Sequence, residues 1–136
     1  MLYPFARALV AAELPVLARH ELNMWGYSVL CALDGSPART QAALAQAINA
    51  DKTRIIGTLD GLQRDGLISR EPDPADRRAR LLAITPAGRR VKIAVQAEIQ
   101  ANENRILARL PAGDRRAFLR VAETLADLSP DEIAGL

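Results

Sequence analysis

Two short arginine-containing runs, Lys52-Thr53-Arg54 and Arg77-Arg78, are the parts of this 136-residue chain best suited to chemistry. Guanidinium groups form paired hydrogen bonds with phosphate and with the edge of guanine, so the chemistry they suit is nucleic-acid binding. Net charge is only +2 at pH 7, but its distribution is uneven. Residues 1–35 and 91–136 are each slightly acidic, whereas residues 36–90 carry ten basic and six acidic groups. Sixteen of the eighteen basic residues are arginine. A bias toward Arg and Ala codons accounts for the choice of arginine over lysine, but not for where the charge sits.

Catalytic chemistry is poorly supported. The single histidine, His20, and the single cysteine, Cys31, exclude a zinc site built from imidazole and thiolate, and any Ser-His or Cys-His pair would have to use His20. There is no paired-carboxylate spacing, glycine-rich phosphate loop or metal cluster, so no enzyme, cofactor or metal is expected. One cysteine forms no intramolecular disulfide, which suits a reducing compartment. No apolar run approaches the roughly 18 residues of a membrane span, and Arg7 and Glu13 interrupt the N-terminal apolar stretch. A cytoplasmic protein without membrane attachment is the expectation. Hydrophobic residues at 49% and charged residues at 25% predict a folded core rather than disorder.

The elements that must position the arginines follow from periodicity and punctuation. Leu2, Phe5, Leu9, Ala12 and Val16 share one helix face over the first twenty residues, with Pro15 predicting a kink near residues 11–15. Residues 24–34 read as a short apolar helix capped by Asn23 and stopped by Gly35. Thr40 caps a third helix with Leu44, Ala45 and Ile48 inward. Asp51 caps a fourth, running to about Asp65 with Ile55, Leu59 and Leu62 inward and Gly66 at its end. Two helices joined by a tight turn around Asn49 and Ala50 make a helix-turn-helix. LISRE and ARLLAI then read as strands flanking the turn-rich PDPADRR. Thr85-Pro86 opens a long helix to about Arg109, with Val91, Val95, Ile99, Asn102, Ile106 and Leu110 on a stripe close to heptad spacing. Pro111 breaks it, and a last helix carries Phe118, Val121, Ala122, Leu125 and Leu128.

The expected fold is therefore mainly α with a small β-hairpin wing: a winged helix-turn-helix with further helices before and after it. The fourth helix would present Lys52, Thr53 and Arg54 to a major groove, and the hairpin tip would carry Arg77 and Arg78 to phosphates or a minor groove. Thr40 and Gln41, at the start of the third helix, would donate to a phosphate. Arg70, on the first wing strand, completes the basic set. Tyr3, Phe5, Trp25, Tyr27 and Phe118 are the only aromatic residues, and none lies in the basic region to stack single-stranded bases. Duplex DNA is favoured.

The stretch INADKTRIIGTLDGLQRDGLISREPDPADRRARLLAITPAG, above all LDGLQRDGLISR, DPADRRAR and ITPAG in that order, resembles the core of the multiple antibiotic resistance regulator (MarR) family of bacterial transcription factors. The flanking helices also fit that layout, so the resemblance spans nearly the whole chain. It implies one domain over residues 1–136, with residues 1–22 and 86–136 as dimerisation helices and 23–85 as the DNA-binding winged helix. It implies a homodimeric regulator of a palindromic operator, usually a repressor, relieved by a small phenolic or other aromatic ligand or by oxidation. Asp76 and Arg78 match the family's Asp-x-Arg wing signature, in which the arginine enters the minor groove and the aspartate orients it. Thr53 and Arg54 match recognition-helix positions that touch phosphates and bases. Gly57 departs from the pattern, standing where many relatives carry a base-reading arginine, and Gly61 replaces a second long side chain.

Other readings compete at particular residues. His20, Trp25 and Tyr27 are candidates to line the family's ligand cleft, although packing and capping also account for them. Cys31, between Leu30 and Ala32, fits a small core residue better than a redox sensor, because no basic side chain lies near it in the sequence. A winged-helix protein-interaction module without DNA binding is the alternative to a DNA-binding regulator, but it would call for an uncharged wing. The apolar stripes of the first and last helices predict a dimer.

Overall fold

The structure, a computed structural model, describes residues 1–36 and 39–136, with the backbone alone at Arg39. The elements run α1 (Leu2–Arg19), α2 (Met24–Asp34), β1 (Arg39–Thr40), α3 (Gln41–Ala47), α4 (Lys52–Arg64), β2 (Ile68–Pro72), β3 (Arg80–Ile84), α5 (Pro86–Leu107), α6 (Ala112–Ala126) and α7 (Pro130–Ala134). They form two compact units, residues 1–99 and residues 100–136.

Local hydrogen bonds start most of the helices of the first unit. The Asn23 side chain accepts from the Gly26 amide at 2.8 Å, Thr40 Oγ1 from the Ala43 amide at 3.1 Å, and Asp51 Oδ1 from the Thr53 amide at 2.8 Å. Each satisfies an amide that the first turn leaves without a partner. α1 continues through Pro15 to Arg19. Asn49, in the turn between α3 and α4, has φ 54°, a left-handed conformation that asparagine tolerates better than most residues. The turn therefore closes where the sequence places it.

The core of this unit is aliphatic. Val29, Leu30 and Leu33 of α2 pack with Leu44, Ala45, Ile55, Leu59, Leu62, Ile68 and Leu82, which joins α2, α3, α4 and the sheet. A second cluster, Val16, Leu17 and Val95, joins α1 to α5, with Tyr27 and Met24 packed against it. Ile48, expected to face inward, is partly buried against the larger cluster.

The sheet has one strand more than the expected hairpin. β2 and β3 pair antiparallel from Ile68↔Ile84 to Pro72↔Arg80, and β1 adds to the far edge of β3 through Arg39↔Leu82 and Thr40↔Leu81. Two residues are too few to leave an alternating pattern, so β1 exists only through its pairing. Gly66 ends α4 at φ 74°, the left-handed position that glycine takes without strain. Thr85 then fixes the start of α5. Its hydroxyl donates to the Gly66 carbonyl at 2.6 Å and accepts from the Gly88 amide at 3.0 Å, while its own amide donates to the Leu67 carbonyl at 3.1 Å. The junction is so close that a Cβ on Gly88 would lie 2.0 Å from the Leu67 carbonyl oxygen.

In the second unit, α6 leaves Phe118, Leu119, Val121 and Leu125 between 40% and 52% exposed. α7, which the sequence reading did not anticipate, starts with a capping box between Ser129 and Glu132. In the first unit, α1 leaves Leu2, Phe5, Val10 and Leu14 exposed.

Candidate nucleic-acid interface

The helix-turn-helix presents α4 by its N-terminal turn. Lys52, Thr53 and Arg54 are all exposed there. Asp51 organises the turn: the Thr53 amide and hydroxyl both donate to its Oδ1 at 2.8 Å. Those bonds, with the Arg54 charge nearby, hold the Asp51 carboxyl below its usual range. The Thr53 hydroxyl proton is thereby committed, which leaves its oxygen as an acceptor and its methyl as a contact surface. Arg54 and Lys52 are in none of the ion pairs found among the described residues.

The wing tip is built from aspartates. Asp73 Oδ1 accepts from the Ala75 amide at 2.8 Å, and Asp76 Oδ1 from the Arg78 amide at 3.0 Å. These are turns in which a short carboxylate stands in for a backbone acceptor. The resemblance implies that Asp76 orients Arg78, and it does touch Arg78, but through the backbone. Arg77, Arg78 and Arg80 are exposed. Arg80, opposite Pro72 on the wing, extends the positive surface and was not singled out from the sequence. Its signal was only its place at the start of the second strand.

Arg70 differs from the other arginines of the set. Its Nη1 donates to Asp60 Oδ1 at 2.6 Å and to Gln63 Oε1 at 3.0 Å, so its charge is spent between β2 and α4. Thr40 serves as the N-cap of α3, and Gln41 is the first residue of that helix, where a phosphate would meet the exposed amide end.

The residues suggested for a ligand cleft lie in the α1–α2–α5 layer. His20 ends α1 with Nε2 2.7 Å from Glu98 Oε2, and Arg19 donates to the other oxygen of Glu98 at 3.2 Å. The His20 bond foremost, then that from Arg19, lowers the Glu98 pKa. Tyr27 packs beside Val16, Leu17 and Val95, and Trp25 is 43% exposed. A cavity of about 140 Å³ beside this layer is lined instead by Glu21, Leu22, Asn23 and Gly26 together with Gly57, Thr58, Gly61, Leu62 and Asp65. Cys31, expected in the core, is half-buried. Nearby, Asp34 accepts from Arg89 at 2.8 Å and lies 3.0 Å from Lys92, and these bonds lower its pKa.

The sequence profile described as "MarR family" matches residues 22–79, the span from the end of α1 to the wing tip. The HTH-type transcriptional repressor NicR of Pseudomonas putida is 30% identical over 115 residues, covering 85% of this chain and 72% of NicR. The chain belongs to the MarR family. This is a family of transcription regulators rather than enzymes. A putative regulatory protein for the hcr operon of Thauera aromatica is 28% identical, with the match covering 73% of this chain but only 60% of that protein. Among solved structures, the transcriptional repressor CouR bound to a 23-mer DNA duplex is 28% identical with a TM-score of 0.76, covering 92% of this chain and 89% of CouR. CouR from Rhodococcus jostii RHA1 bound to p-coumaroyl-CoA is 26% identical with a TM-score of 0.73, covering 94% and 90%. The winged-helix geometry is thus that of MarR regulators. Among the described residues, no helix is long and apolar enough to cross a membrane and no group of three or more acidic, histidine or cysteine residues could hold a metal.

Proposed function

We propose that this MarR-type regulator is a homodimeric repressor that binds a palindromic duplex operator and is released by a small aromatic effector. The observation that carries the reading is the joint exposure of Lys52, Thr53 and Arg54 on the first turn of α4 and of Arg77, Arg78 and Arg80 on the wing. α4 enters the major groove, the wing follows the adjacent backbone and minor groove, and Thr40 and Gln41 hold a phosphate. CouR, bound to DNA in one structure and to p-coumaroyl-CoA in another, supports both halves of the reading. The exposed leucine, valine and phenylalanine side chains of α1 and of α6 support a dimer, since apolar surface of that extent marks a partner. Residues 1–22 and 86–136 are accordingly the dimerisation helices, and residues 23–85 the DNA-binding part.

The test is fluorescence anisotropy of the full chain on duplex DNA from its own upstream region at two salt concentrations, with its mass in solution measured in parallel. The reading expects a steep loss of affinity with salt and a particle of twice 14.7 kDa. Salt-insensitive binding, or specific binding by a monomer, overturns it.

A further inference from the structure

We infer that Ile56 is a specificity residue of α4 that reads the 5-methyl group of a thymine in the major groove, an inference that rests on the DNA-binding reading above. Ile56 is 45% exposed, one turn after Lys52 and one turn before Asp60 on the helix that would enter the groove. A single exposed aliphatic residue is ordinary on a protein surface. What distinguishes this one is that it is the one exposed apolar side chain of α4.

Its neighbours are bare or partly engaged. Gly57 and Gly61 have no side chain, and a Cβ at Gly57 would meet nothing within 4 Å, so the bare position is not filled from elsewhere. Asp60 Oδ1 and Gln63 Oε1 each accept from Arg70, at 2.6 and 3.0 Å, which ties both side chains toward β2. The Thr53 hydroxyl proton is given to Asp51 at 2.8 Å. Beyond the first turn, the exposed side chains of α4 are Ile56, Asp60, Gln63 and, at the last turn, Arg64, and of these Ile56 alone is wholly apolar. An isoleucine offers no hydrogen bond, and the one apolar group on the major-groove edge of a base pair is the thymine methyl. The cation of Lys52 one turn earlier would hold the backbone near enough for that contact. Desolvating one methyl against another corresponds to about fourfold in affinity, and two symmetric half-sites to about tenfold or more.

The experiment selects duplexes from a randomised pool with the full-length protein, then replaces each thymine of the selected sequence by deoxyuridine, which removes only the methyl. Wild type is compared with Ile56→Ala, with Ile56→Ser as a second truncation and Ile56→Val as the conservative change; circular dichroism reports folding. The expected result is one symmetric thymine pair whose replacement weakens wild-type binding by about tenfold. Ile56→Val should keep that sensitivity, and the two truncated variants should lose it. If no thymine is methyl-sensitive, or if the truncated variants remain as sensitive as wild type, the inference fails while DNA binding stands. If no duplex is enriched at all, the DNA-binding reading fails and takes this inference with it.

Discussion

Arg70 Nη1 lies 2.6 Å from Asp60 Oδ1, ten residues back along the chain and on a different element. This contact, with Gln63 as its second acceptor, ties the first wing strand to the helix that would enter the groove. The arginine is mostly covered, with 21% of its side chain exposed, so it works as a strut between the wing and α4. Arg70→Ala should lower the unfolding midpoint by a few degrees, in line with about 1 kcal/mol for a partly exposed pair. It should also weaken operator binding with little change in salt slope. The exchange Asp60→Arg with Arg70→Asp should recover part of both losses, measured as a double-mutant cycle. A salt slope reduced by about two, one per protomer, with unchanged stability would instead make Arg70 a phosphate ligand.

The wing and α4 should separate by the kind of affinity they contribute. Arg78→Ala should weaken binding to many sequences alike and lower the salt slope by about two, one per protomer, whereas Arg54→Ala should cost about 1–3 kcal/mol per half-site and relax preference at one symmetric pair of positions. Because Asp76 holds the Arg78 amide rather than its guanidinium, Asp76→Asn should be milder than Asp76→Ala, as the amide oxygen still accepts that bond. Binding series over single-base operator variants at several salt concentrations distinguish these outcomes. Equal damage by Asn and Ala would mean that the charge of Asp76, not its acceptor, matters.

Gly88 is required by packing. A methyl group 2.0 Å from the Leu67 carbonyl oxygen cannot be accommodated by rotating a side chain, because the obstacle is backbone. Gly88→Ala should destabilise the protein by about 1–3 kcal/mol, seen as a lower denaturation midpoint in urea. By contrast, Gly57→Ala, with open space around its Cβ, should be neutral or stabilising by up to about 1 kcal/mol.

Acid should weaken the α1–α5 contact. The His20 and Arg19 bonds hold the folded-state pKa of Glu98 below its ordinary 4.5. Its share of stability is therefore present above pH 4.5 and lost as pH falls from there through the lowered folded value. Glu98→Gln should flatten that limb of the stability curve, measured by chemical denaturation at a series of acidic pH values. An identical acid limb in wild type and Glu98→Gln would remove Glu98 from the account.

Features built from near neighbours were legible in the sequence. Asn23, Thr40 and Asp51 each cap a helix through an amide two or three residues on, so residue type and position suffice to place them. The aliphatic inner faces of α3 and α4, the turn at Asn49 and the Thr85-Pro86 start of α5 follow from the same short-range rules. The arginines of the wing tip were legible too, because a turn projects its charges wherever it is attached.

Partners far apart along the chain were decided only by the tertiary structure. β1 is a strand because it lies beside Leu81 and Leu82, about forty residues away, and not through any pattern of its own. Arg70 and the wing-tip arginines are the same residue type in the same basic stretch, yet only Arg70 is spent on α4. His20 meets Glu98 across 78 residues. A charged side chain carries no mark of whether the fold will bring it a counter-ion or leave it to solvent. Packing of α4 against the sheet makes that choice, and with it decides which cations remain exposed.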